Sequence, residues 1–215
     1  MSLWDHDAEP RNEWSTTGFR IILLIRSASI AGCLAILFGA SAAAFEPSHN
    51  HEGNTSPILP ATGTVQVAFT PGDDAGKLIA DAINDAHRQV LVQAFSFTHR
   101  KIAEALIAAK HRGVDVKVVA DKEQTHRIPT SVIAKLAAGG VPVFIDADHA
   151  GAHNKVMVID AGSSGATLIT GSFNFTHAAQ YKNAENVLLI RGNPALTELY
   201  LKNWRHHYEH SRPYQ

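Results

Sequence analysis

Two short segments of this 215-residue chain carry the side chains best suited to chemistry. The first contains His153, Lys155 and Asp160 in the spacing HxKx4D. Apolar residues at 156–159 predict a β-strand, in which side chains two positions apart lie on one face. Regular strand geometry would place His153 and Lys155 roughly 6.5 Å apart along the chain, about the span of a phosphate group with an atom on either side.

The second segment, residues 171–174, has the order GSxN and follows another predicted strand. Leu168, Thr170, Ser172 and Asn174 share a parity, so a hydroxyl and an amide are expected to face the same point. An imidazole, an ammonium, a hydroxyl and an amide that converge on one point describe a site for a phosphodiester.

Together, the two segments resemble the signature of the phospholipase D superfamily, HxKx4D followed by GSxN, and both elements are complete. The chain resembles most closely the small bacterial endonucleases of that superfamily, which carry one motif copy per chain and work as dimers. The resemblance spans about residues 65–214 and includes the runs 93–98, 108–117 and 182–186.

The resemblance implies a role for each motif side chain. His153 is the candidate nucleophile, because a neutral imidazole can attack phosphorus and leave again, which divides hydrolysis into two displacements. Lys155 and Asn174 would hold the non-bridging oxygens and offset the charge of the transition state. Ser172 is assigned the same task, with a hydroxyl that only satisfies local backbone as the alternative.

Two carboxylates complete the set of candidate catalytic residues. Asp160 has the opposite parity to His153 and is expected to support the motif through hydrogen bonds to loop backbone. Glu185 lies in the run 182–186 that is similar to the family and is expected to bind an imidazole and fix its tautomer. The alternative for Glu185 is an exposed glutamate at the start of a strand.

One imidazole is not sufficient for the whole reaction, because the leaving alkoxide needs a proton donor opposite the nucleophile. The superfamily uses two histidines from two motif copies. With one copy per chain, a homodimer that pairs His153 with its symmetry mate is the economical solution. Since cationic and amide donors neutralise the phosphate, the chain is predicted to need no metal ion or other cofactor.

The substrate is less well determined by the sequence. The net charge of −1 gives no global attraction to nucleic acid, so binding to a phosphate backbone depends on local basic clusters. Backbone contact would make cleavage independent of base sequence. These clusters are Arg88, residues 99–101, residues 110–112, Lys122, residues 126–127, Lys202 and residues 205–207.

Nucleic acid, DNA and also RNA, is the predicted substrate, and three alternatives stay open. A phospholipase D or phosphatidyl transfer enzyme would use the same phosphorus chemistry on phospholipid. A metal-dependent hydrolase could use Asp146, Asp148, His149 and His153 as ligands. A binding protein without enzymatic activity is the third.

The N-terminal residues 1–44 are predicted to form a signal peptide, because a basic residue, an apolar run of about eleven residues and an alanine-rich exit follow one another. Cleavage would deliver a periplasmic or secreted protein; the alternative is a membrane anchor over residues 21–44. Residues 45–63 are polar and rich in turn formers, which predicts a flexible leader. The phosphodiesterase domain is then expected over residues 64–215.

The elements that position the motif follow from hydrophobic periodicity. From residue 64 onward, strand patterns alternate with helical patterns, which favours an α/β fold. We predict a mixed, mainly parallel β-sheet flanked by helices on both faces, in agreement with the fold that the resemblance implies. A short turn at residues 161–165 is expected to make the two motif strands antiparallel. Pro129 is expected to open a helix that ends at Gly139.

Overall fold

One eight-stranded sheet organises residues 56–215, the part of the chain that is described here from a computed structural model. The strands are β1 Thr64–Thr70, β2 Gln89–Ala94, β3 Asp115–Asp121, β4 Val143–Asp146, β5 Lys155–Ile159, β6 Thr167–Gly171, β7 Glu185–Arg191 and β8 Arg212–Pro213. The helices are α1 Ala75–Asn84, α2 Arg100–His111, α3 Lys122–Arg127, α4 Ile133–Ala138, α5 His177–Tyr181 and α6 Pro194–His210.

The sheet has the order β1-β7-β6-β5-β2-β3-β4-β8. The predicted α/β fold with a mixed sheet is confirmed, but the sheet is not mainly parallel. Only β2–β3 and β3–β4 pair in parallel, and every other neighbouring pair is antiparallel. Residues 147–154 contain no helix that could carry the chain back across the sheet. Strand β5 therefore starts at the edge where β4 ends and runs against β2.

Helices cover both faces, as predicted. On one face, Val90 and Val92 of β2 belong to the same buried cluster as Ile79 of α1 and Leu106 of α2. On the other face, the intervening Leu91 packs into a second cluster with Leu201 and Trp204 of α6. Burial on both sides fixes the register of β2, because a slip by one residue would exchange the two faces. The central strands thus form a rigid support for the residues at their ends.

The start of α1 agrees with the sequence pattern, whereas the start of α4 does not. Asp74 caps α1 by accepting a hydrogen bond from the Lys77 backbone N–H at 2.9 Å. Pro129 lies in the connection between α3 and α4 and does not open a helix, since α4 begins only at Ile133. The Val132 N–H instead bonds to the carbonyl of Phe97, which ties this connection to the residues after β2.

The N-terminal predictions fall mostly outside the described residues. The predicted signal peptide and residues 45–55 of the predicted leader are not described. Within residues 56–215, no helix is long and apolar enough to cross a membrane. Of the remaining leader, Pro60 accepts a hydrogen bond from Asn193 Nδ2 at 3.1 Å.

Candidate active site

The motif residues meet at one edge of the sheet. Strand β2 ends there at Ala94, directly beside Lys155, where β5 begins. The antiparallel neighbours β6 and β7 bring Gly171, at the end of β6, and Glu185, at the start of β7, to the same edge. The mixed topology therefore brings together side chains that are distant in sequence, such as His153 and Glu185, which are 32 positions apart.

His153 and Lys155 are in contact, but not as two residues on one strand face. His153 lies exposed in the loop before β5, and Lys155 is the first residue of β5 and is buried. The Lys155 Nζ lies 3.0 Å from His153 Nδ1 and donates a hydrogen bond to the His153 carbonyl at 2.6 Å. Phe95 packs against both, with its ring centre 4.3 Å from the imidazole and 4.9 Å from Nζ.

Two hydrogen bonds hold the loop that carries His153. The Phe95 N–H donates to the Asn154 carbonyl at 2.9 Å, and the Ala152 N–H donates to Asp121 Oδ2 at 2.9 Å. Asp121 is buried and also caps α3 by accepting from the Gln124 N–H. It is a positioning residue that sequence reasoning missed; its place directly after the apolar alternation of residues 114–120 was the available signal.

The hydrogen bond between Lys155 and His153 prevents nucleophilic attack by the imidazole while no substrate is bound. Burial lowers the pKa of the Lys155 ammonium, and the nearby carboxylate of Glu185 opposes that shift. A charged Lys155 that donates to Nδ1 makes this nitrogen an acceptor, so the proton of a neutral imidazole is on Nε2. Either ring nitrogen can attack phosphorus only after Lys155 has left Nδ1. A phosphate oxygen is the partner toward which an ammonium would move.

Gly171 is required by the backbone of the second motif. Its φ is 147°, and a Cβ at this position would lie 2.3 Å from the carbonyl oxygen of Asn186. Ser172 Oγ donates to Glu185 Oε2 at 2.6 Å and accepts from the Asn186 N–H at 3.0 Å. The hydroxyl thus satisfies local groups, which was the alternative expectation for Ser172.

Glu185 does not bind an imidazole within the described chain, contrary to expectation. Its carboxylate accepts from Ser172 Oγ and, at 3.0 Å, from Asn183 Nδ2. The antiparallel pairing of β6 and β7 brings the GSxN segment beside Glu185, so that the Ser172 hydroxyl donates to its carboxylate. The negative charge of Glu185 opposes the lowering of the Lys155 pKa by burial.

Asn174 lies between the buried rings of Phe173 and Phe175, which anchor its loop in the core. Its Oδ1 is buried and has no hydrogen-bond partner among the described residues. Buried polar atoms are nearly always paired, so this acceptor lacks a donor in the described chain, whereas a phosphate oxygen would be bound by the N–H donors on Nδ2 of the same amide. Asn174 also lines a cleft of about 1230 Å³.

Asp160 is not at this edge of the sheet. It follows β5 at the opposite end, with a positive φ of 49°. Its carboxylate accepts from the backbone N–H groups of His87, Arg88 and Gln89 at 2.7–2.9 Å, the type of contact expected for it. Burial would raise the pKa of Asp160, but these three donors hold it below its ordinary value. Asp160 therefore positions β5 beside β2 and does not touch the reacting atoms.

The ligands expected for a metal-dependent hydrolase are not brought together as a set. Asp146 and His149 are neighbours, with 3.2 Å between the carboxylate and Nδ1. The other side chains that converge on Asp146 are His207 and His210. His153 is outside this group, and Asp148 contributes only its backbone N–H. The group is separate from the candidate active site.

Comparison with known proteins gives one family. A family model described as "Cardiolipin synthase, PLD-like domain" matches residues 79–207. A protein named phospholipase D from Rickettsia bellii is 39% identical over 140 residues, which cover 65% of this chain and 67% of the relative. A mitochondrial cardiolipin hydrolase from Xenopus laevis is 31% identical over 157 residues, which cover 73% and 72% of the two chains.

Solved structures show the same fold. Nuc from Salmonella typhimurium, described as a phospholipase D family member, has a TM-score of 0.66 and 38% identity, and the match covers 72% of this chain and 99% of Nuc. NucT from Helicobacter pylori has a TM-score of 0.63 at 22% identity, covering 71% of this chain and 100% of NucT. At that identity, NucT supports the fold alone.

Proposed function

Since this chain belongs to the phospholipase D superfamily, we propose that it is a metal-independent endonuclease that hydrolyses DNA, and RNA as well, without base specificity. The phosphodiesterase chemistry is that of the superfamily. The choice of a nucleic acid rests on one observation, the charge of the cleft beside Asn174.

This cleft has a polar and basic wall. Arg100, Lys101, Lys135 and Lys182 line it, together with several hydroxyl side chains. The only acidic residue in the wall, Glu104, is paired with Lys135 at 2.6 Å. A chain of phosphates could lie along such a surface, because each contact with a cation releases condensed counterions. The acyl chains of a lipid would lie against charged groups instead.

We propose the following sequence of steps. A phosphate oxygen draws Lys155 away from His153 Nδ1, so that an imidazole nitrogen is free to attack phosphorus. Lys155 and Asn174 hold the non-bridging oxygens while negative charge accumulates on them. A proton donor on the opposite side protonates the leaving oxygen, and the bond between phosphorus and that oxygen breaks. The same group, now deprotonated, accepts a proton from the water that attacks the phosphohistidine, and the bond between phosphorus and His153 breaks to release the second product.

The proton donor is supplied by a second copy of the chain in this proposal. One imidazole cannot be nucleophile and leaving-group acid in the same step, and the chain has a single HxKx4D motif. A two-fold axis at this edge of the sheet would place His153 of the partner subunit opposite the first. Two exposed apolar side chains, Phe69 and Tyr181, lie at the same edge and could pack in such an interface.

The dimer predicts a specific result in a mixing experiment. When wild-type protein is unfolded and refolded with an excess of His153→Ala chains, most wild-type chains enter heterodimers with one imidazole. Activity per wild-type chain should then fall toward zero, whereas mixing with wild-type chains should leave it unchanged. Analytical ultracentrifugation checks that dimers form. A fully active monomer, or full activity of heterodimers, would contradict the shared site.

Metal independence and substrate class can be tested in one panel. Plasmid, single-stranded DNA, RNA and phosphatidylcholine vesicles are incubated with the protein in excess EDTA at 25 °C. Nucleic acid should be cleaved at the rate seen without EDTA, because cationic side chains replace the Lewis acid. Loss of all activity, with recovery on addition of Mg²⁺, would exclude the proposed mechanism.

A phospholipase D is the second candidate, because relatives that carry this name are 39% identical to the chain. The chemistry at His153 would be unchanged, and only the substrate would differ. Release of choline from the vesicles with intact nucleic acids in the same panel would favour this candidate. The matched control is a double variant, Lys101→Ala with Lys182→Ala, which removes two cations from the cleft. It should lower the rate of nucleic acid cleavage and leave the rate of choline release unchanged.

A further inference from the structure

Four side chains of the types that can ligate a metal ion converge outside the candidate active site. Asp146 ends β4, His149 lies in the following loop, and His207 and His210 lie in the last turn of α6. The Asp146 carboxylate is 3.2 Å from His149 Nδ1, 2.8 Å from His207 Nδ1 and 3.2 Å from His210 Nε2. These ligands come from segments about 60 residues apart, so their convergence is a product of the fold.

We propose that Asp146, His149, His207 and His210 bind one divalent transition-metal ion, with Zn²⁺ as the best match. One ligand atom from each residue lies within 4.8 Å of the others. Ligand atoms around a tetrahedral Zn²⁺ with bonds of about 2.0–2.1 Å are roughly 3.3 Å apart. Small rotations of the imidazole rings are sufficient to close that difference.

The burial of the group supports a site rather than a chance surface cluster. The side chain of Asp146 is 0% exposed, and those of His207 and His210 are 10% and 20% exposed. His149, at 44%, forms the open side through which an ion could enter. His207 and His210 are one helical turn apart, and this spacing brings both rings to the same point. A buried carboxylate requires such positive or hydrogen-bonding partners.

The chemistry of the ligands determines the class of ion. Three imidazoles and one carboxylate suit Zn²⁺ and the neighbouring transition metals, and they do not suit Ca²⁺ or Mg²⁺, which require more oxygen ligands. Four protein ligands fill a tetrahedral shell, and closed sites of this kind stabilise structure. The ion would therefore support the fold and leave the chemistry at His153 to the side chains.

The position of the site gives the ion a specific structural effect. It would join α6 to the loop of residues 147–154, which contains His153. Three strand spacings of about 4.8 Å separate β4 from β5, so the ion would lie roughly 14 Å from the candidate active site. It would stabilise the loop without contact with the substrate. This inference does not depend on the proposed function, because metal binding and stability are measured without substrate.

Calorimetric titration of untagged, chelator-stripped protein with Zn²⁺ tests the proposal. One ion per chain should bind, and a hundredfold excess over Kd should raise the Tm by about 5 °C or more. His207→Gln and His149→Gln should each abolish the rise in Tm. His111→Gln, which changes an exposed histidine of α2, should retain it. If His207→Gln fails to fold, the exposed loop variant His149→Gln decides the question.

Two further measurements separate this site from adventitious binding. The predicted leader contains His49 and His51, so a His49→Gln/His51→Gln double variant should bind Zn²⁺ as the wild type does. Substitution with Co²⁺ should give the intense visible bands of a tetrahedral ion in the wild type and not in His149→Gln. Zn²⁺ binding that persists in both His207→Gln and His149→Gln, or that is lost in the leader variant, would overturn the proposal, as would the absence of any rise in Tm.

Discussion

His153→Asn is expected to reduce phosphodiester cleavage at least about 10⁴-fold, to below detection in most assays. Asparagine retains a hydrogen-bonding side chain but has no nitrogen lone pair that can attack phosphorus. The substitution removes both imidazoles of the proposed dimer, so that neither the nucleophile nor the leaving-group acid is present. Substrate affinity should change little, because the basic cleft beside Asn174 is intact.

Single-turnover rates and dissociation constants for a labelled oligonucleotide measure these two effects separately. The matched control is His87→Asn, which changes an exposed histidine at the opposite edge of the sheet, where the Asp160 carboxylate binds backbone. The single-turnover rate and the dissociation constant of this variant should be within about twofold of the wild-type values, as expected for a surface substitution away from the site. Substantial turnover by folded His153→Asn protein would contradict the role of His153.

Lys155→Ala should lower the cleavage rate by about 10³-fold, the effect of removing one preorganised donor from a transition state, or somewhat more for a buried cation. Lys155 is 7% exposed and packs over the Phe95 ring. No solvent cation can replace it fully at that position. Because Lys155 offsets charge that accumulates in the transition state, the loss should be in kcat and not in KM.

Steady-state kinetics with Lys117→Ala as the control check this result. Lys117 is a strand lysine that pairs with Asp115 away from the active-site edge, and its removal should change kcat less than twofold. An increase in KM with unchanged kcat in Lys155→Ala would show that this residue binds the substrate uniformly and does not stabilise the transition state.

The sequence predicted the parts of the fold that depend on local periodicity. The helices α1, α2 and α6 follow from apolar spacing because each has one buried stripe, and the central strands follow from short apolar runs that are buried on both faces. The parallel character of the sheet was predicted wrongly, since strand direction depends on where a connection ends. Residues 147–154 leave the chain on the side of the sheet where β4 ends, so β5 runs antiparallel to β2. No local sequence pattern predicts where this connection ends.

The side chains of the candidate site were found by motif, but their contacts were not. His153 and Ser172 lie just beyond strands, in loops fixed by long-range hydrogen bonds such as that from Ala152 to Asp121. Parity along a strand does not apply to such positions. The carboxylate of Asp146 likewise meets His207 and His210 only through packing of α6 on the sheet. Contacts between residues so far apart in sequence follow from tertiary structure.

Covalent labelling tests the central claim, that His153 is the nucleophile, most directly. A phosphodiester substrate labelled on phosphorus is mixed with protein and quenched in base during turnover, and the protein is then exposed to acid. Wild-type protein should carry label that is stable in base and labile in acid, as expected for a phosphohistidine, and His153→Asn protein should carry none. Equal labelling of the two proteins would contradict the two-step route through His153. The route would also be contradicted if wild-type protein carried no label during active turnover under conditions in which hydrolysis of the phosphohistidine limits the rate.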